Sequence, residues 1–516
     1  VENLGDNIKG RMNRGRKKME MNLAMEKFEK IIEEKRMVDT AITSLHWDLE
    51  TQAPKKGMEL LSGVVGYLSS KSYELATGRE LVEAVDVLNG YKGELDPVKV
   101  KIVEEVEREI DKIKKIPAVE YSRYNELTAR AQGIWAEARE KSDFKIFEGP
   151  LKEIVEYQRK FTGYRGWEGH PYNTLLDDYE PGMTVEKLDD FFGYLRGELV
   201  PFLKKIEAEG RDVRKDFLEK SYPIVEQRDF SRELAEYIGF DFDRGIISES
   251  AHPFTLNYDR NDVRLTTRYE EKWFSSSVFG TIHEGGHGLY EQGIGEEIAS
   301  TVLGTGTSMG IHESQSRFYE NMLGRSKAFW KPLYEGMKGR FGALKDVGLD
   351  EFYRGINRSE ASLIRVEADE LTYSLHIMVR YEIEKMLIEG SIEVEDLPGV
   401  WNDKMEEYLG IRPSKDSEGV LQDVHWSCGL FGYFPSYALG NAYAAQIYNT
   451  MEGEIDIEKN LDERNLAVIK EWLGENIHRW GKGKKPAEII VDISGEELNA
   501  KYFIDYLKEK YSRIYL

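Results

Sequence analysis

His283-Glu284-Gly285-Gly286-His287 spells H-E-x-x-H. In an α-helix, positions i and i+4 stack on one face, so the two imidazoles converge on one point in space. Neutral imidazole is a good ligand for Zn²⁺, at about 2.0–2.1 Å. Glu284 then stands beside the cation site, where a carboxylate can take a proton from water. The stretch therefore predicts a helix that carries both a cation site and a base. Two glycines inside a helix cost roughly 1 kcal/mol each relative to alanine. That cost makes sense where another backbone must come close. On a solvated helix face with two histidines, the bland alternative, it would have no reason.

Zinc hydrolases usually take three protein ligands and leave one position open. Downstream of His287 runs a glycine-rich loop containing Gly293, Gly295, Gly304, Gly306 and Gly310, followed by His312-Glu313-Ser314-Gln315-Ser316. The interval leaves room for a helix end, that loop and a returning helix. Glu313 would complete a His₂Glu set, with His312 as the rival third ligand. Glu320 follows on the same helical face as Glu313. It is either a surface carboxylate or an acceptor for the N–H of a ligand imidazole.

The rest of the chain reads as mainly α-helical. Phe28, Ile31, Ile32, Val38, Ile42 and Leu45 follow the 3.6-residue period. Asp96-Pro97 starts another helix as N-cap and first helical residue, with Ile102, Val103, Val106, Ile110 and Ile113 on one face and Pro117 as its stop. A third begins near Thr184 and shows Leu188, Phe191, Phe192, Leu195 and Leu199 on one face. The exception is Asp262-Val263-Arg264-Leu265-Thr266, where polar and apolar residues alternate with the period of a half-buried strand. Asp262, Arg264 and Thr266 share a face. A small β-sheet is expected beside the H-E-x-x-H helix. It is either an ordinary hairpin or an exposed edge that pairs with an extended peptide.

With 516 residues, of which 41% are hydrophobic and 32% charged, the chain is that of a soluble globular protein with a large core. A net charge of −23 excludes nucleic acid as a partner, since phosphates would be repelled. Cys428 is the single cysteine, which excludes an intrachain disulfide and fits a reducing cytoplasm. Abundant Lys and Glu with one Cys would suit a thermophile. No apolar run follows the basic residues Lys9, Arg11, Arg14, Arg16, Lys17 and Lys18, so no signal peptide is read. Residues 1–18 are expected to be a disordered basic extension, and 19–516 a single domain. Within it, a helical lobe to about residue 250 precedes the metal-bearing half, 251–516. The segment Trp426 to Met451 carries no charge and is long enough to span a bilayer. Pro435, its glycines and its polar residues instead predict a buried helix and loop under the site, with no membrane span.

In order along the chain, Trp47-Asp48-Leu49-Glu50, Tyr179-Glu180-Pro181-Gly182, His252-Pro253-Phe254, the Asp262/Arg264/Thr266 strand, His283 to His287, His312-Glu313-Ser314, Ile364-Arg365-Val366-Glu367-Ala368-Asp369 and Gly419-Val420-Leu421-Gln422-Asp423-Val424-His425-Trp426 resemble the carboxypeptidase Taq family of metallocarboxypeptidases, especially its thermostable archaeal members. The resemblance covers almost all of the chain except the N-terminal extension. It implies a nearly all-helical saddle- or clam-shaped fold with a deep groove and a short sheet. It implies a homodimer with one Zn²⁺ or Co²⁺ per subunit. The implied reaction removes C-terminal amino acids from peptides with broad specificity, proline being disfavoured.

An amide hydrolase needs donors for a developing oxyanion. His425, Tyr433 and Tyr437, in the uncharged segment, are candidates, and packed core residues with satisfied polar tips are the alternative. An exopeptidase must also hold a free α-carboxylate, a task that suits the planar fork of a guanidinium. Arg365 is the expected anchor, with Asp369 four residues on to hold it and Arg264 as the second candidate. His252, Asp262 and Thr266 are further candidate substrate contacts, and Gln422 and Asp423 are expected to orient the site. Two other readings remain. One is a related oligoendopeptidase. The other is a binding scaffold that has lost turnover, which the intact Glu284 argues against.

Overall fold

A computed structural model describes residues 2–516, with side chains for residues 15–516. Most of the chain is helical, and the described residues contain one three-stranded sheet. Two compact units are present. The first comprises residues 1–115 and 296–304, the second 116–295 and 305–516. The division expected near residue 250 coincides with none of these boundaries. Of the expected basic extension, the side chains of residues 1–14 lie outside the described residues.

In the first unit, helices Glu2–Thr51, Arg79–Asn89 and Pro97–Ile113 share a core of Phe28, Leu81, Val85, Leu88, Val103, Val106 and Ile110. The Asp96 side chain accepts a hydrogen bond from Val98 N, and Pro97 occupies the first turn, where a missing N–H is harmless. The expected start and stripe of this helix are thus both present.

In the second unit, Thr184 caps helix Val185–Glu209 by accepting from Lys187 N, and Leu188, Phe192, Leu195 and Leu199 form its buried face. The sheet comprises β1 (Gly245–Glu249), β2 (Thr255–Asp259) and β3 (Asp262–Thr267), in the order β1-β3-β2. β1 runs parallel to β3 and β2 antiparallel to it. The strand expected at Asp262–Thr266 is therefore the central one, and an edge open to pairing belongs to β1 or β2. Its alternation sorts the faces as the period requires. Val263 and Leu265 are buried with Ala235 and Phe240, while Asp262 and Arg264 pair on the opposite face.

Helix Phe274–Gln292 packs on this sheet and carries the H-E-x-x-H residues. The returning helix, Met309–Arg317, is capped by Ser308, whose hydroxyl accepts from Ile311 N, and it widens into a π-helical turn at Phe318–Leu323. The uncharged segment forms a short helical turn at His425–Cys428 and the largely buried helix Pro435–Glu452. Among the described residues, no helix is long and apolar enough to cross a membrane.

Candidate active site and metal centre

His283 and His287 lie one turn apart with ring centroids separated by 4.9 Å. Glu313 Oε2 stands 3.8 Å from His283 Nε2 and 3.6 Å from His287 Nε2. A tetrahedral ion with bonds of about 2.1 Å needs its donors roughly 3.4 Å apart. The three donors, which lie within 4.8 Å of one another, therefore fit a divalent cation. Of the two candidates for third ligand, it is Glu313 whose carboxylate lies in this cluster with the two imidazoles.

The glycines of the motif make this possible. A Cβ on Gly286 would sit 2.6 Å from Gln315 O and 2.7 Å from Ser316 Cα, so the two helix backbones touch at this point. A Cβ on Gly440 would meet Glu313 Cγ at 2.4 Å, so helix Pro435–Glu452 presses on the third ligand from the other side. The expected close backbone approach is present.

Both ligand imidazoles are held from behind. His283 Nδ1 is 2.9 Å from Glu320 Oε2, and Glu320 also accepts from Arg317 Nη1 at 3.2 Å and Arg325 Nη2 at 3.0 Å. Glu320 is buried and is not a surface carboxylate. Burial pushes its carboxyl up, but Arg317, His283 and Arg325 outweigh it and hold the group well below the usual range. His287 Nδ1 is 2.6 Å from His312 Nδ1, and His312 Nε2 is 2.7 Å from Glu291 Oε1. His312 thus supports a ligand. Burial, His312 and His283 push His287 well below the usual imidazole range, the neutral form that binds metal. His283 is pushed down by burial and raised further by Glu313 and Glu320, for a net rise. Arg317 Nε donates to Glu313 Oε1 at 2.7 Å, leaving Oε2 turned to the histidines.

Glu284 is buried beside this cluster. Thr255 Oγ1 lies 2.7 Å from its Oε2 and 3.0 Å from its main-chain O. Burial raises the Glu284 carboxyl, against the opposing pull of His283 and Thr255. Sequence reading missed Thr255, Glu291 and Arg317. Of these only Arg317 left a signal, its i+4 spacing from Glu313.

Arg365 sits in a tight helical turn, Arg365–Glu367, rather than in an α-helix. Asp369 therefore does not hold it. The Asp369 carboxylate accepts instead from Glu360 N, Leu371 N, Thr372 N and Thr372 Oγ1. Arg365 is held by Asp423, whose Oδ1 accepts from Nε at 2.9 Å and lies 2.8 Å from Nη2. Gln422 Oε1 accepts from Arg365 N at 2.9 Å. The second oxygen of Asp423 is 2.7 Å from Nε of the fully buried Arg380. Burial raises the Asp423 carboxyl, but Arg365 and Arg380 outweigh it and hold the group well below its usual range. Arg365 Nη1 donates to Tyr373 OH at 3.0 Å, and the Tyr373 ring lies 4.5 Å beneath the Arg317 guanidinium. One aromatic ring therefore separates Arg365 from the arginine on Glu313.

His425, Tyr433 and Tyr437 gather around Arg365. His425 Nε2 is 3.1 Å from Tyr437 OH, the Tyr433 and Tyr437 rings meet at 5.2 Å, and the Arg365 guanidinium lies 5.0 Å from the Tyr437 ring. Burial pushes His425 down to about 4 and Tyr433 up to about 12. His425 Nδ1 is buried with no hydrogen-bond partner.

The β-sheet candidates sit differently. Arg264 bonds Asp262 through two contacts of 2.8 Å and lies 4.5 Å over the Tyr258 ring. Thr266 is buried and ties Ser250 and Phe254 to the sheet. His252 is exposed in the loop between them. Asp262 and Thr266 make their side-chain bonds within the sheet and the loop that flanks it.

Two imidazoles and a carboxylate with a separate buried glutamate beside them are the donor set and base of a metal-dependent hydrolase. Comparison with known proteins gives the family: the model for Carboxypeptidase Taq (M32) metallopeptidases matches residues 27–511, and the chain belongs to that family. It is 46% identical to carboxypeptidase 1 of Bacillus subtilis, over 92% of this chain and 95% of that one. It is 38% identical to thermostable carboxypeptidase 1 of Pyrococcus furiosus, over 90% of this chain and 94% of that one. The crystal structure of an M32 carboxypeptidase from Deinococcus radiodurans R1 superposes with a TM-score of 0.91 at 32% identity, covering 95% of this chain and 99% of that one. The protein is accordingly a metal-dependent peptide hydrolase.

Proposed function

We propose that the protein removes C-terminal amino acids from peptides, with Arg365 as the anchor for the substrate α-carboxylate. The observation that carries this reading is the way Arg365 is held. Asp423 takes the Nε/Nη2 edge of its guanidinium and Tyr373 takes one N–H of Nη1, leaving one N–H on each terminal nitrogen for a planar carboxylate. Broad specificity with proline disfavoured, and a homodimeric assembly, rest on the family resemblance. A cytoplasmic location and thermal robustness rest on the single cysteine and the Lys/Glu-rich composition. The acidic chain has no use for nucleic acid.

His283, His287 and Glu313 would hold one Zn²⁺ or Co²⁺ per subunit. Bound there, a divalent cation supplies Lewis acidity to the scissile carbonyl and acidifies water. Glu284 takes the proton of the attacking water and passes it to the leaving amine. Tyr437 and Tyr433, with His425 behind Tyr437, supply donors to the developing oxyanion.

The test compares a blocked dipeptide bearing a free C-terminus with its C-terminal amide, with and without a chelator. Hydrolysis of the acid alone, lost on chelation and restored by Zn²⁺ or Co²⁺, is expected. Equal hydrolysis of the amide would remove Arg365 from its role and favour an endopeptidase. No hydrolysis with any metal would favour a binding scaffold.

A further inference from the structure

We infer that Thr255 is a positioning residue for the general base, fixing which oxygen of Glu284 carries the proton during peptide hydrolysis. The inference rests on the reading of Glu284 as base given above. Thr255 is the first residue of β2 and pairs with Leu265 of β3. Its neighbour Phe254 is tied to Thr266 through Phe254 N to Thr266 Oγ1 at 2.8 Å and Thr266 N to Phe254 O at 2.9 Å. The backbone beneath Thr255 is therefore held by the sheet, and a β-branched side chain is stiff about its first torsion. Its hydroxyl points where the sheet directs it.

That hydroxyl has one proton and two acceptors on Glu284: carboxylate Oε2 at 2.7 Å and main-chain O at 3.0 Å. An ionised carboxylate is the stronger acceptor, so the proton goes to Oε2. Among the described residues, nothing donates to Oε1. The two oxygens are thus unequal, one engaged and one free. Without the Thr255 bond, Glu284 would sample several rotamers about flexible torsions, and productive geometry would be a fraction of them.

In the reaction, the water oxygen bonds to the carbonyl carbon and one water proton moves to Glu284 Oε1. The same proton moves to the amide nitrogen as the C–N bond breaks, leaving a carboxylic acid and a free amine and restoring the Glu284 carboxylate. With Oε2 already bonded, the proton lodges on the free oxygen. With Thr255 absent, either oxygen takes it, and a proton on the far oxygen must be moved before the amine can leave.

Thr255→Val keeps the shape and removes the hydroxyl, and Thr255→Ser restores the hydroxyl. On metal-loaded full-length protein, Thr255→Val is expected to lower kcat about 10–100-fold, the effect of one hydrogen bond to an ionised group. KM, metal affinity by chelator competition and Tm should stay close to wild type, and Thr255→Ser should recover most of kcat. A kcat for Thr255→Val within about twofold of wild type would overturn the inference. So would a loss of metal affinity or Tm that accounts for the loss of rate, or a failure of serine to rescue. Glu284→Gln is assayed in parallel. If that variant turns over with metal bound, it is the base assignment itself that fails.

Discussion

His312 and His287 meet nitrogen to nitrogen, with their Nδ1 atoms 2.6 Å apart. One must donate and the other accept. His287 turns Nε2 to the cluster, where it must be unprotonated to bind a cation, so its proton lies on Nδ1. His312 Nδ1 is then the acceptor, and its own proton lies on Nε2 and bonds Glu291 at 2.7 Å. A buried carboxylate sets the tautomers of two histidines in series.

His312→Ala should therefore weaken metal binding about 10–100-fold, the usual effect of losing a group behind a ligand. Glu291 keeps its bonds from Asn257 Nδ2 at 2.6 Å and Thr305 Oγ1 at 2.8 Å, so the fold should survive. Chelator competition measures the affinity. An unchanged affinity would show that His287 needs no support from His312.

The glycines of the motif should differ in tolerance. A Cβ on Gly286 meets the backbone of the facing helix, whereas a Cβ on Gly285 meets Ile238 Cδ1 at 2.4 Å, the movable end of a side chain. Gly286→Ala should lower stability by about 1–3 kcal/mol or more and reduce metal content, because it pushes Glu313 away from the histidines. Gly285→Ala should be milder on both counts. Thermal melts and metal analysis of the two purified variants decide the order.

Asp423 pairs with two buried guanidiniums at once, one through each oxygen, so its loss is felt twice. Asp423→Asn should cost about 3–5 kcal/mol of stability, as expected when a buried pair loses one member. Arg365→Lys keeps the charge, loses the fork, and should instead raise KM for substrates with a free C-terminus. Denaturant melts and steady-state kinetics separate the two effects. A stable Asp423→Asn protein would show that Arg365 and Arg380 do not depend on it.

His478 should make the protein acid-sensitive. It is buried, bonded to Gln315 Oε1 at 2.9 Å, and pushed down to about 3 by burial, Lys470 and His312. The unfolded chain takes up this proton near pH 6.5, whereas the folded protein resists it. Its contribution is thus fully present above about pH 6.5 and is lost as pH falls toward the folded value near 3. The difference in Tm between wild type and His478→Gln should shrink as pH drops from 7 to 4. A constant difference would place the titration elsewhere.

The sequence by itself determined what is local. H-E-x-x-H needs only the 3.6-residue turn to bring His283 and His287 together, and the caps at Asp96 and Thr184 act within their own first turns. The alternation of Asp262 to Thr266 declares a strand because side-chain direction flips at every residue. The tertiary structure decided what depends on partners far apart in the chain. Arg365 looked like the i+4 partner of Asp369, but its segment folds as a tight turn, and Asp423 reaches it from another part of the chain. Glu320 could be read as a surface carboxylate until helix packing buried it against His283. Thr255 carries no motif signal, and only the crossing of β2 over the H-E-x-x-H helix brings its hydroxyl to Glu284. Periodicity reports which way a side chain faces along its own element, and the packing of elements chooses what it meets there.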